Sequence, residues 1–74
     1  MATKREGIKC YENAADDEPL FVLRAQDVLA PEIVREWAFR AAAAGTPVEK
    51  VDEARRAADE MEDYQISHRK KVPD

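Results

Sequence analysis

The sequence has few of the residues that form disulfides, tight turns or metal sites in small proteins: one cysteine, two glycines and a single histidine among 74 residues. Cys10 alone cannot form an internal disulfide, which favours a reducing compartment. No apolar run exceeds four residues, whereas a membrane-spanning helix needs about 20. The first residues also lack the apolar stretch of a signal peptide. We therefore expect one small cytoplasmic domain over residues 1–74.

Acidic residues outnumber Lys and Arg by 16 to 12, which gives a net charge of −4. Residues 12–27 carry five acids against one arginine, and residues 46–67 carry seven acids against three cations. The ends, residues 1–6 and 68–74, are basic, and we expect both to be frayed. An acidic body repels phosphate backbones, which argues against duplex DNA as a partner.

Two helices are predicted in the second half, over about 31–44 and 47–66. Proline opens each segment, and Gly45 closes the first. Thr46 and Glu49 have the spacing of a capping box, in which each side chain satisfies the other residue's backbone amide. With almost no linker, the helices must form a hairpin. We expect alanine-rich stripes to face each other, with Trp37 and Met61 supplying most of the core's bulk.

The N-terminal third is predicted to form a short β element, with strands over about 8–12 and 20–24 in an antiparallel hairpin. The alternative is a helix that is capped at Asp16 or Asp17 and runs through residues 20–25, because short apolar runs do not separate strand from helix. Branched and aromatic side chains favour the strand. Asp27 is a candidate cap for the helix that follows. The predicted fold class is α+β, mainly α.

One side of the second predicted helix is acidic and lies opposite its apolar stripe. Such a face is either solvated or binds a basic partner; its members are Asp52, Glu53, Asp59, Glu60 and Asp63. Phe39 points away from Trp37 on the first helix and needs a further layer to cover it. Since a domain this small is marginally stable alone, we predict a homo-oligomer with Phe39 in the interface.

Several cations could contact a nucleotide or another anion, because guanidinium forks match phosphate geometry. The candidates are Arg24, Arg35, Arg40, Arg69, Lys70 and Lys71. For the last three, the competing interpretation is that cations near a helix C-terminus interact favourably with the helix dipole. These cations do not decide between a protein target and a small nucleotide as the ligand.

The sequence gives little support to an enzyme. Cys10 and His68 could form a nucleophile and base only if the fold happened to bring them together. The carboxylate pairs Glu49–Asp52 and Glu60–Asp63 are similar to those of helical nucleotide pyrophosphohydrolases, but they fall on the predicted solvent face. We predict no catalytic residue, no metal and no cofactor.

A helix-turn-helix DNA-binding regulator is the alternative function. The run from Ala41 through Gly45 to Val48 is similar to the turn of that motif. Lys50, Arg55 and Arg56 would then face the groove. The seven acids in residues 46–67 oppose this interpretation.

Residues 17–27, together with Leu29-Ala30-Pro31 and residues 34–38, resemble a family of small bacteriophage and prophage proteins to which no function is attached. The resemblance covers most of the chain and implies a cytoplasmic protein made in a bacterial host. Phage proteins of this size often act by stoichiometric binding, including inhibition of host defence. We therefore expect a non-enzymatic binding or inhibitory protein.

Overall fold

The computed structural model describes residues 10–68, and it is mainly helical. Helix α1 spans Ala30–Ala43 and helix α2 spans Val48–Ser67, and the two pack against each other. These bounds confirm the predicted helices over 31–44 and 47–66 to within one residue at each end. No helix among the described residues is long and apolar enough to cross a bilayer.

The two helices run antiparallel to each other. Close to the turn, Ala38 and Ala41 of α1 form one buried cluster with Val51 of α2. One turn further from the connection, the Arg35 guanidinium donates to the Asp59 carboxylate at 2.7 Å. Earlier residues of α1 thus meet later residues of α2, as a hairpin requires.

The turn between the helices is built on Gly45, which has a φ of 92°. The Gly45 N–H donates to the Ala42 carbonyl at 3.2 Å, and the Thr46 N–H donates to the Ala41 carbonyl at 3.0 Å. These two bonds form a Schellman motif, which satisfies the last carbonyls of α1. Glycine suits the site because it reaches positive φ without a side-chain penalty.

The predicted capping box between Thr46 and Glu49 is wrong. Helix α2 begins at Val48 with Pro47 as its N-cap, and no side chain caps it. The Thr46 amide already bonds to α1, so it is not available to Glu49. In a linker this short, the residue after the glycine closes one helix and cannot also open the next.

Asp27, the candidate cap, organises the turn that leads into α1 but is not the N-cap of the helix. Its Oδ1 accepts from the Leu29 N–H at 2.8 Å, and its carbonyl accepts from the Ala30 N–H at 3.0 Å. Leu29 is the N-cap, and no side-chain hydrogen bond caps the helix itself. Asp27 therefore shapes the turn before α1, and its carbonyl, not its carboxylate, accepts from the first helical amide, that of Ala30.

The core is small and rich in alanine. The buried apolar residues within the described part of the chain are Ala30, Ala38, Ala41, Val51, Ala57, Ala58 and Met61. Val51 is the largest side chain that is completely buried. The prediction that Trp37 supplies core bulk is wrong in part, because 48% of this residue remains exposed.

The predicted β element is not supported. Residues 10–13 are helical, and residues 20–24 have no regular secondary structure, whether strand or the alternative helix. The start of the first predicted strand, residues 8 and 9, and most of the basic ends lie outside the described residues. The loop is instead held to α2 by Gln65, whose Nε2 donates to the carbonyls of Ala25 at 2.9 Å and Asp27 at 2.7 Å.

Candidate binding surfaces

Three large apolar side chains line one side of α1 and its N-cap. Leu29, Ile33 and Trp37 are each between 44% and 48% exposed. Because they are spaced four residues apart, they lie one above the other on the helix. We call these three residues the apolar flank. Each has about half of its surface packed on the protein and the other half free for a partner.

A second apolar surface lies in the loop before α1. Leu20 is 52% exposed, Phe21 88% and Val22 77%. Three consecutive exposed apolar residues are a defect in a soluble fold unless they serve a function. Sequence reasoning treated this run as half of a hairpin and did not mark it as a site.

Phe39, which the sequence assigns to self-association, is 70% exposed. Two residues along a helix turn the side chain by about 200°, so Phe39 lies away from Trp37 and the apolar flank. Arg35, one turn earlier on the Phe39 side, is occupied by acids of α2. Phe39 is accessible, but its surroundings are charged.

The predicted acidic face is partly neutralised. Asp59 pairs with Arg35 across the two helices, and Asp52 lies 3.6 Å from Arg55 on its own helix. Glu60 and Asp63 are exposed, whereas Glu53 is half-buried. The face is therefore not the uniform acidic stripe that the helical spacing indicates.

Arg35 joins α1 to α2 through two carboxylates. Its Nη2 donates to Asp59, and its Nη1 donates to Glu62, an acid that sequence reasoning did not select. These hydrogen bonds, the one to Asp59 first, raise the pKa of the Arg35 guanidinium. The side chain remains charged and is held by the protein's own acids.

The other candidate anion contacts differ in availability. Arg40 donates to Glu36 at 2.7 Å on the same helix. Arg24 is exposed, and no ion pair joins it to another residue in the described part of the chain. Arg69, Lys70 and Lys71 lie outside the described residues. Only Arg24 among the described candidates has its guanidinium free of carboxylates.

An open depression of about 440 Å³ lies beside the helical turn at residues 10–13. Its lining consists of Tyr11, Glu12, Ala14, Ala15, Asp16, Glu18 and Leu20. Three carboxylates in the lining disfavour phosphate ligands. Within residues 10–68, no group of three potential ligands is arranged to hold a metal ion.

The two residues considered for nucleophilic chemistry have ordinary surroundings. Cys10 is exposed. The His68 ring stacks on Tyr64 with centroids 3.9 Å apart, and its Nδ1 lies 3.0 Å from the Tyr64 carbonyl oxygen. The imidazole therefore closes the end of α2.

The antiparallel hairpin also bears on the helix-turn-helix alternative. In that motif the helices cross at about 90–120°, whereas α1 and α2 meet both near the turn, where Ala38 packs with Val51, and further along, where Arg35 bonds to Asp59. Arg55, one of the three supposed groove-facing cations, lies within 3.6 Å of the Asp52 carboxylate. Neither feature favours a helix-turn-helix protein that binds in the DNA major groove.

Comparisons of the chain with protein-family models, with curated proteins and with solved structures find no match. No relative therefore supplies a substrate, a partner or a site residue. The surfaces described above carry the functional argument.

Proposed function

We propose that this chain is a small, non-enzymatic binding protein of the phage type that inhibits a host protein by stoichiometric binding in the cytoplasm. The apolar flank is its contact surface. The observation that carries this proposal is the exposure of Leu29, Ile33 and Trp37 along one side of α1. An anti-defence role agrees with the resemblance to phage proteins.

The apolar flank has the properties of an interface centre. Tryptophan is the residue type most enriched among binding hot spots. Trp37 lies directly before Ala38, which is completely buried against α2, so its backbone is fixed. A preorganised helix loses little conformational entropy when it binds, and more of the contact energy appears as affinity.

A protein partner is supported better than a nucleotide. Phosphate recognition depends on available guanidinium or ammonium groups, but Arg35 and Arg40 already bond to carboxylates. A nucleotide that binds at Arg35 or Arg40 would have to displace those acids. An apolar partner surface needs neither step.

The exposed acids of α2 add a charge preference to this proposal. Glu60 and Asp63 are exposed at the surface of the same hairpin. Charges around an interface speed association more than they tighten it. The favoured partner therefore has an apolar groove with basic residues near it.

The test compares Trp37→Ala with Phe39→Ala, since both shorten an exposed aromatic residue of α1 on different sides. Each variant, and the wild type, is immobilised and exposed to lysate of the bacterial host, and captured proteins are quantified by mass spectrometry. Titration of the captured protein then gives stoichiometry and Kd. We expect Trp37→Ala to weaken binding at least tenfold, as a hot spot worth more than about 1.4 kcal/mol would, and Phe39→Ala to bind as the wild type does.

A stability control accompanies this test. Since only about half of Trp37 is buried, its truncation costs about 2 kcal/mol, less than a fully buried tryptophan. Urea denaturation followed by far-UV circular dichroism verifies that the variant is folded under assay conditions. Binding that survives Trp37→Ala in a folded protein, or a nucleotide that co-purifies in native mass spectrometry, contradicts the proposal.

A further inference from the structure

The loop before α1 contains a stretch of backbone that forms no hydrogen bond within residues 10–68. Among the described residues, no backbone hydrogen bond involves residues 19–23, and none of these residues belongs to a helix or strand. The same stretch contains Phe21, the most exposed large apolar residue described, between Leu20 and Val22. Unpaired donors and acceptors beside exposed β-prone side chains form a template for strand pairing.

Two turns define the ends of this stretch. Before it, the Glu18 N–H donates to the Ala15 carbonyl at 3.0 Å. After it, the Arg24 carbonyl accepts from the Asp27 N–H at 3.0 Å. The unpaired residues 19–23 are therefore centred on Phe21, with an acid three residues before it and a cation three residues after it.

We propose that residues 18–24 are a self-association strand, which pairs antiparallel with the same segment of a second copy about a two-fold axis at Phe21. A C2 interface brings the same patch of both subunits together. In this register residue 21 faces its own copy, residue 20 faces residue 22, and residue 18 faces residue 24. The β element that the sequence indicates over 20–24 forms only in the dimer.

This register gives hydrogen-bond partners to the backbone groups that need them. In antiparallel pairs, hydrogen-bonded and non-hydrogen-bonded positions alternate. With Phe21 at a non-hydrogen-bonded position, Leu20 and Val22 form the hydrogen-bonded pairs. Pro19 then also lies at a non-hydrogen-bonded position, where its missing N–H is not needed. The two Phe21 rings lie directly opposite each other, which is the closest kind of cross-strand pair.

Charge complementarity identifies a second copy as the occupant. The axis at Phe21 places Glu18 opposite Arg24 of the other copy, and by symmetry Arg24 opposite Glu18. Arg24 has no carboxylate partner among the described residues, and one oxygen of Glu18 is bound only to the Ala15 N–H, at 3.1 Å. Both ends of the segment are exposed. Opposite charges at facing positions stabilise antiparallel strands, and like charges destabilise them.

This strand is separate from the apolar flank and does not depend on the proposed function. Host-protein binding tests Trp37, whereas self-association tests Phe21. Because a two-stranded ribbon is marginal by itself, we expect a weak, concentration-dependent dimer. Sedimentation equilibrium of the full chain from micromolar to millimolar concentration measures it.

The first experiment compares Phe21→Asp with Phe39→Asp, which place the same charge on two exposed aromatic positions. We expect Phe21→Asp to abolish the dimer and Phe39→Asp to leave its dissociation constant within twofold. Far-UV circular dichroism shows that both variants are folded. A wild type that stays monomeric overturns the proposal, as does a dimer that Phe39→Asp dissociates and Phe21→Asp does not.

The second experiment tests the register by charge reversal. Glu18→Arg and Arg24→Glu each set like charges opposite one another at two symmetric positions, and each weakens the dimer by about tenfold. The double variant Glu18→Arg with Arg24→Glu restores opposite charges and returns the dissociation constant to within threefold of the wild type. Because it also lacks the Glu18 bond to Ala15, its recovery reports cross-strand pairing. Failure of this rescue in a folded double variant overturns the register.

Discussion

Gln65 offers a direct test of how the N-terminal loop is held to the helical hairpin. Its carboxamide nitrogen donates to two carbonyls of the loop, those of Ala25 and Asp27, and the side chain is half-buried. Gln65→Glu keeps the shape of the side chain but removes both N–H donors. At neutral pH it also sets a carboxylate against two carbonyl oxygens.

The expected cost is large for a domain of this size. A typical intramolecular hydrogen bond contributes about 0.5–1.5 kcal/mol, so losing two costs about 1–3 kcal/mol before any repulsion. Domain stabilities of about 0.05–0.15 kcal/mol per residue give about 4–11 kcal/mol for a chain this long. Gln65→Glu therefore removes about a quarter of the free energy of unfolding, and lowers Tm by about 10 °C.

The assay is urea denaturation followed by far-UV circular dichroism, with ΔG and m fitted for each variant. Gln26→Glu is the matched control, because it makes the same chemical change in the loop that Gln65 holds, and no hydrogen bond of the Gln26 side chain is formed in the described structure. We expect the control to stay within about 0.5 kcal/mol of the wild type. Equal stabilities for Gln65→Glu and the wild type at neutral pH would refute the role assigned to this joint.

Four further substitutions test other parts of the hairpin by the same denaturation assay. Gly45→Ala costs about 1–2 kcal/mol, because no atom lies in the way but alanine is strained at positive φ; an unchanged midpoint contradicts this. Val51→Ala lowers the free energy of unfolding by about 2 kcal/mol, because two methyl groups are lost and a cavity is left. A loss below about 0.5 kcal/mol, which is typical of exposed positions, would show that Val51 is not part of the core. Arg35→Ala lowers the denaturation midpoint only slightly, because its ion pairs are solvent-exposed, and the difference should shrink in high salt. Asp52→Lys with Glu60→Lys leaves ΔG within about 0.5 kcal/mol, and a larger loss would show that the acidic face supports the fold.

The helical hairpin could be predicted from sequence because its signals are local. Proline and glycine mark where the helices begin and end, and apolar residues recur at helical spacing between them. The capping box was wrong because two local rules compete for the Thr46 amide. In the structure the Thr46 amide bonds to the Ala41 carbonyl in the Schellman motif at Gly45, and this bond excludes the capping box.

The degree of burial of each side chain, and the pairing of residues across the hairpin, could not be predicted in the same way. Periodicity assigns Trp37 to a face of α1, but the degree of burial depends on what else covers that face. The bonds from Arg35 to Asp59 and from Gln65 to Ala25 join residues 24 and 40 positions apart. Such pairs follow from how α1 and the loop before it align with α2, which no local pattern fixes. The β-prone run at Leu20 formed no strand because a strand needs a partner that the described residues do not provide.

The alanine-rich core determines which mutations this chain tolerates. In most protein cores the most destabilising substitutions shorten a large buried side chain. Ala38 and Ala58 are fully buried, but their methyl side chains are already the smallest that a core residue other than glycine can have. Every single-base change of an alanine codon that alters the residue, apart from those to glycine, gives a larger, a charged or a helix-breaking residue. At these positions substitutions force the helices apart, and overpacking of this kind typically costs about 1–3 kcal/mol. The seam between the helices is therefore constrained to stay small, whereas exposed positions outside the proposed contact surfaces have no such packing limit.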